Sequence, residues 1–266
     1  MPSGGHRHLK RLNAPDSWGL EKSGGKFAVR PLPGAHSKQL SIPLKYIIAR
    51  FLKVAKTSKE VRYILKSNMV QVNNKDITIQ KATAGLFDVI TIKKTNQHYR
   101  LIFNINRRFK VHKITSDESK YRITKVMNKE TVNGIPYTRT LDGYNFKFVD
   151  PAVNIGDTVK IDISSNKVIE YLRFETGHIA FVFSGSNRGR VGSIKRIEKL
   201  KNGSSFVYLE DANGKSFTVL DSKVMVIGNK ESLWITLDED QGKKLDVFEL
   251  SNLRYKNTEE IEATDK

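Results

Sequence analysis

Leu44, Ile47, Ile48, Phe51, Leu52 and Ala55 recur at helical spacing and make one apolar stripe, with Lys45, Lys53 and Lys56 on the other side. The spacing predicts a helix with Pro43 in its first turn, where a missing N–H costs nothing. Thr57 followed three residues later by Glu60 is a capping box, and it predicts a second helix. In that helix Val61, Ile64 and Leu65 share one face, and Lys59, Arg62 and Lys66 share the opposite one. Asn68 reads as the stop. Residues 69–73 read as a strand closed by an Asn-Asn-Lys turn.

Short β-rich runs follow at 77–79, 88–92 and 99–103. Packed against the two apolar stripes, they predict a compact α+β module over residues 42–105. From 106 to 175 the pattern is almost wholly β. Strands are expected at 107–114, 121–127, 137–141, 144–149, 158–163 and 168–174, with Asp142-Gly143 as a hairpin signal. That density of short strands predicts a central barrel-like β domain. A second set, at 179–183, 193–197, 205–210, 216–219 and 224–227, predicts a smaller barrel over residues 176–230. A glycine-rich basic loop at 184–192 interrupts it. Together these give an α+β, β-rich chain.

The two ends break the periodicity. In residues 1–41, Pro15, Pro31 and Pro33 rule out long regular elements and leave an extended basic arm. Trp18, Phe27 and His36 are spaced among its cations. They either stack on bases or pin the arm to the protein's own core, and the pattern leaves both open. Residues 231–266 read as a C-terminal extension in which 234–237 add a strand or docking segment. Disorder is expected from Asn257 onward.

Charge sharpens the picture. The 266 residues carry 46 Lys and Arg against 28 Asp and Glu, a net +18. Residues 231–266 hold 5 basic and 10 acidic residues, so residues 1–230 carry 41 against 18, or +23. A body with that excess repels itself unless a polyanion is near, and nucleic acid is the default candidate. No amphipathic basic helix marks either terminus for a membrane surface, and no apolar run approaches the about 18 residues of a spanning helix. The chain has no cysteine, which excludes disulfides, thiolate metal sites and thiol nucleophiles together. The arm lacks a secretory core and makes a poor amphipathic presequence, so a cytosolic location is expected.

Catalytic chemistry finds little support. The loop from Gly185 to Gly192 is not a P-loop, because Gly189 is followed by Arg190-Val191 and then by strand pattern. Its glycines would instead let Arg188 and Arg190 approach a phosphate backbone. His6, His8, His36, His98, His112 and His178 form no HExxH or triad grouping. Asp238-Glu239-Asp240 lacks the spaced oxygen ligands of a calcium loop. No metal or cofactor is expected.

Several of these stretches are familiar together. The two helices leading into Met-Val-Gln-Val-Asn-Asn-Lys75 resemble the αL RNA-binding fold of ribosomal proteins, pseudouridine synthases and some tRNA synthetases. Gly185-x-x-x-Gly189-x-x-Gly192 followed by Ser-Ile resembles the KOW motif of an SH3-like barrel. More specific are His8-Leu-Lys-Arg-Leu-Asn-Ala-Pro15 with Trp18, then Val29-Arg-Pro31 and Pro33-Gly-Ala-His-Ser37. So are Ala84-Gly-Leu-Phe-Asp-Val-Ile90, Tyr99-Arg-Leu-Ile102, Asp211-Ala-Asn-Gly214 and Val226-Ile-Gly228. In this order the chain resembles the archaeal and eukaryotic (e-type) family of small-ribosomal-subunit protein four over roughly residues 6–250. It departs at Asn74, where the αL hairpin commonly has glycine, and in its acidic tail.

The resemblance implies a non-catalytic protein that binds small-subunit rRNA, sits beside other small-subunit proteins and supports subunit assembly and translation. It implies no cofactor, membrane or small-molecule substrate. It also implies a cytosolic place, nucleolar during assembly in a eukaryote. The implied rRNA contacts are Arg7, Lys10, Arg11 and Arg30 on the arm and Lys53, Lys56, Lys59, Arg62 and Lys66 on the helical hairpin. At the KOW loop they are Arg188, Arg190, Lys195 and Arg196. Two other classes remain: an RNA-modifying enzyme carrying an αL domain, and a transcription elongation factor using the KOW barrel.

Overall fold

In a computed structural model, described for residues 7–201, 203–230, 232–237, 242–252 and 255, the local signals organise a β-rich α+β chain. Asn73 and Asn74 take φ of +48° and +61°, and strand Val70–Val72 folds back onto Lys75–Asp76. Two consecutive positive φ values are what a two-residue hairpin requires, and asparagine tolerates them better than any residue but glycine. Asn74 therefore fills the glycine's place without breaking the turn.

That hairpin edges a five-stranded antiparallel sheet. Its order is Lys75–Asp76, Val70–Val72, Val89–Ile92, Gln97–Phe103, Phe109–Ile114. The last strand had been expected to open the central domain. It pairs instead along its whole length with Gln97–Phe103, from His98 opposite Ile114 to Phe103 opposite Phe109. The first sheet therefore extends to Ile114. Residues 77–79 carry β-type side chains yet form no strand, and Ile79 is largely exposed.

The capping box forms as its spacing predicts. Thr57 accepts from the Glu60 backbone N–H, and Glu60 Oε2 accepts in return from the Thr57 N–H. The helix Ser58–Lys66 follows, with Val61 and Leu65 fully buried. It stops at Asn68, whose φ is +52°. The preceding helix departs from its pattern. It is α-helical only over Leu44–Tyr46 and continues as a π-helix over Ile47–Phe51. Each wide turn inserts a residue, so the stripe loses phase. Leu44, Ile47 and Ile48 are buried, whereas Phe51 and Leu52 are only half-buried and Ala55 reaches the core from beyond the helix. Pro43 stands just before this helix, in the extended strand Ser41–Pro43.

Two further five-stranded antiparallel sheets follow. The middle one runs Asn145–Lys147, Ile135–Thr140, Tyr121–Val132, Thr158–Asp162, Val168–Leu172. Its long central strand pairs with Thr158–Asp162 over its first half and with Ile135–Thr140 over its second. The third sheet runs Ser216–Leu220, Ser205–Glu210, Val191–Lys199, Ile179–Val182, Val224–Gly228, a four-strand meander with the fifth strand beside the first. Among the described residues no helix is long and apolar enough to cross a membrane.

One core joins arm, helices and third sheet. Leu9 and Trp18 from the arm pack in the same cluster as Ile42, Ile47, Leu65, Phe87, Phe181 and Met225. Trp18 is 1% exposed and donates from Nε1 to the Ser41 carbonyl at 2.7 Å, so it pins the arm. Phe27 stays half-exposed between His8 and Lys26. Ile235 is buried in this core, and Trp234 presents its carbonyl to the Tyr121 hydroxyl, as a docking segment would. The residues from Asn257 onward and Asp238-Glu239-Asp240 lie outside the described residues.

The middle sheet has its own small core of Val126, Phe146, Val153, Val159 and Ile161, and buried polar groups tie it to its neighbours. Lys125 donates to the carbonyls of Asp221 at 2.6 Å and Val224 at 2.8 Å, and burial pushes its ammonium down to about 8. Arg122 pairs with Asp142 while lying 3.9 Å over the Tyr144 ring. His36, from the arm, reaches Asp88 at 3.1 Å. Asp88 also accepts from Asn73 Nδ2 at 2.7 Å and the Gly85 N–H at 2.6 Å.

This last pair makes stability depend on pH. Burial alone would push His36 down, but the Asp88 carboxylate, aided by Asp142, outweighs it and raises the imidazole. Burial alone would likewise raise Asp88, and His36, Gly85 and Asn73 hold it below the usual carboxylate range. A raised histidine contributes fully below its unfolded value of about 6.5, and that contribution is lost as pH rises through the folded value. The thermal denaturation midpoint is therefore expected to drop as pH rises above about 6.5. His36→Gln should flatten that slope, and an equal slope in the variant would refute the assignment.

Candidate nucleic-acid interface

The capping box and the apolar face of Ser58–Lys66 leave its cations only one direction to point. Lys59, Arg62 and Lys66 are exposed, as are Lys53 and Lys56 just before the helix. Among the described residues none of these five side chains forms an ion pair, although the Glu60 carboxylate accepts from the Lys56 backbone N–H at 2.8 Å. Lys53 takes φ of +53° where the chain leaves the first helix, and Lys53 and Lys56 point outward on either side of the buried Ala55. Tyr63 stands on the same face, 68% exposed, four residues after Lys59. The helical wheel that separated the cations from Val61 and Leu65 also puts Tyr63 with the cations, and that signal was available from spacing alone.

The arm distributes its cations unevenly. Arg7, Lys10 and Arg30 are exposed. Arg11 is turned onto the arm itself, donating to the carbonyls of Gly25 at 3.0 Å, Glu21 at 3.1 Å and Gly24. It therefore closes the loop 21–25, with its guanidinium engaged by backbone carbonyls.

The barrel loop divides in the same way. Arg190, expected outside, is 7% exposed; it pairs with Asp211 and lies 3.6 Å over the Phe217 ring. Strand alternation explains it. The residue before Val191 enters the sheet, and only a carboxylate partner lets a guanidinium be buried there. Lys195 and Arg196 remain largely exposed, each with a neighbouring carboxylate, Glu210 and Glu198.

Arg188 is different. It is half-buried, 4.7 Å over the Phe103 ring, with its Nε buried and without a hydrogen-bond partner. Burial, and then the neighbouring Arg107 charge, pushes its guanidinium down. The like charges stay close with no carboxylate in ion-pair range of Arg188 among the described residues. Such an arrangement is relieved by an anion.

Arg107 and Arg108 were missed because residues 107–114 were read as one strand. The strand begins at Phe109, and the pair sits in the turn before it, where Arg107 takes φ of +61° and donates its N–H to the Asn104 carbonyl. Asn104 and Asn106 were the turn signal. The turn, the barrel loop and arm residues 11–22 line one groove of about 940 Å³, which Arg107, Arg108 and Arg188 make basic. The structure thus brings Arg188 together with Arg11 from the expected set and with Arg107, Arg108, Lys22 and Lys38 outside it. It leaves the helix face, the outer arm and Lys195 with Arg196 as separate patches.

Comparison with known proteins shows what the chain is similar to. The model of the ribosomal family S4e matches residues 95–168, and that of the RS4NT (NUC023) domain matches residues 3–39. The chain is 38% identical over 250 residues to the small ribosomal subunit protein eS4 of Ixodes scapularis, covering 94% of this chain and 95% of that one. It is 35% identical over 250 residues to the eS4 protein of Carabus granulatus, covering 94% and 96%. The crystal structure of the 30S ribosomal protein S4e from Thermoplasma acidophilum is similar, with a TM-score of 0.63 and 25% identity. That match covers 74% of this chain and 99% of the other.

Proposed function

This chain belongs to the S4e family of ribosomal proteins, and on that premise we propose that it binds small-subunit rRNA as a non-catalytic constituent of the small ribosomal subunit. The observation that carries the reading is the placing of unneutralised cations. Lys59, Arg62 and Lys66 share one outward helix face with Lys53 and Lys56 exposed just before it, and Arg107 and Arg188 line one groove, each group without ion-pair partners among the described residues. A protein that needed these charges only for solubility would intersperse them with carboxylates.

On this reading the helix face and the groove hold phosphates, and Arg7, Lys10 and Arg30 extend the contact along the arm. Lys195 and Arg196 add a weaker patch, since their carboxylate neighbours compete. Arg11 and Arg190 shape the arm loop and the barrel. Tyr63 offers a stacking face among the cations. The arm, residues 1–41, and the first module then act with the KOW barrel, residues 176–230, as one RNA-facing body. The middle sheet, from Tyr121 to about residue 175, fixes their spacing, and the extension beyond 230 docks through Ile235. The protein works in the cytosolic subunit, and in a eukaryote it joins the subunit during nucleolar assembly.

Affinity should come from counterion release. A body that neutralises six to ten phosphates loses about 10³–10⁵ in affinity between 50 and 200 mM salt. Filter binding of the full chain to a small-subunit rRNA transcript across that range is expected to show this steep slope. Salt-insensitive binding, or no binding, would contradict the proposal.

A further inference from the structure

The groove between arm and barrel loop is basic on both sides and holds, among the described residues, one carboxylate without an ion pair. Arg107, Arg108 and Arg188 come from the sheet turn and the barrel loop, and Arg188 is held there by the Phe103 ring. From the arm come Arg11, Lys22 and Lys38, with Asp16 and with Glu21, which pairs with Arg50. Asp16 is exposed and, among the described residues, has no cation within ion-pair distance, although four arginines line the same groove. An unpaired carboxylate among cations in a groove of about 940 Å³ suits a ligand that is anionic and also donates hydrogen bonds.

A carboxylate repels phosphate but accepts from a hydroxyl. RNA backbone has both faces, phosphate oxygens and a 2′-hydroxyl, whereas DNA lacks the donor. We infer that this groove reads the sugar of RNA as well as its phosphate. Arg107 and Arg188 take the phosphates of a turned, single-stranded segment, and Asp16 accepts the 2′-hydroxyl between them. The inference rests on the proposed rRNA binding and adds to it one place where RNA is told from DNA.

The test uses the full chain and a small-subunit rRNA transcript carrying sparse random 2′-deoxy substitutions, with bound and free pools compared. Wild type is expected to exclude 2′-deoxy substitution at one or two adjacent nucleotides. Asp16→Ala should erase that exclusion and leave the rest of the pattern. Arg107→Asn, chosen because asparagine keeps the left-handed backbone of this exposed turn, should weaken binding about tenfold and lower the salt slope by about one. An unchanged pattern in Asp16→Ala, or wild-type binding by Arg107→Asn, overturns the inference while the rRNA reading stands. If wild type does not bind the transcript, both fall.

Discussion

Gly189→Ala is expected to destabilise the protein by roughly 2–5 kcal/mol. Two costs add. Gly189 has φ of +88°, a left-handed conformation that costs a residue with a Cβ about 1–2 kcal/mol. The new Cβ would also be driven into the Asn104 carbonyl, far inside van der Waals contact, and would stand 2.9 Å from the Ile105 nitrogen. Both neighbours are backbone of the turn that carries Arg107, so neither can swing aside. Gly134→Ala is the control, because Gly134 has φ of +77° and open space where the Cβ would go. Thermal denaturation should show Gly134→Ala losing only the conformational part. Equal losses in the two variants would mean that the barrel loop does not bear on the sheet turn.

The second large effect is on binding. Arg62→Glu with Lys66→Glu is expected to weaken association with small-subunit rRNA by about a hundredfold or more, since two charge-assisted contacts are lost and two repulsive charges replace them. The fold should hardly respond. Both side chains are exposed and have no carboxylate in ion-pair range among the described residues, and the pair is like-charged before and after the change. Lys66 lies in the last helical turn, where a carboxylate opposes the helix dipole, so a loss of about 0.5 kcal/mol is the most to expect. Binding measured beside a denaturation curve separates the two. Unchanged affinity would mean that this helix face does not meet RNA.

These two variants mark what could be read in the sequence and what could not. The helix face was legible because a capping box and a 3.6-residue period are local, and Val61 and Leu65 need no knowledge of the rest of the chain to turn inward. Strand runs such as Ser205–Glu210 were legible for the same reason. Phe109–Ile114 was visible as a strand, but its side of the domain boundary was not, because pairing with Gln97–Phe103 is a choice of partner. The π-helix at Ile47–Phe51 left no trace in the spacing, since the same apolar residues fit an α-helix equally well.

The groove was the least legible part. It joins segments near residues 16, 107 and 188, and the glycine that lets the last two meet looked like ordinary loop composition. Arg190 illustrates the converse. In a string of exposed-looking basic and glycine residues nothing marked it for burial until Asp211 and Phe217 were seen to receive it.

Sedimentation tests the central claim most directly. The tagged full-length chain, expressed in cells and resolved on a sucrose gradient, is predicted to migrate with small ribosomal subunits and with whole ribosomes, and to leave both at high salt. Migration only with large subunits, or only at the top of the gradient, would contradict the account.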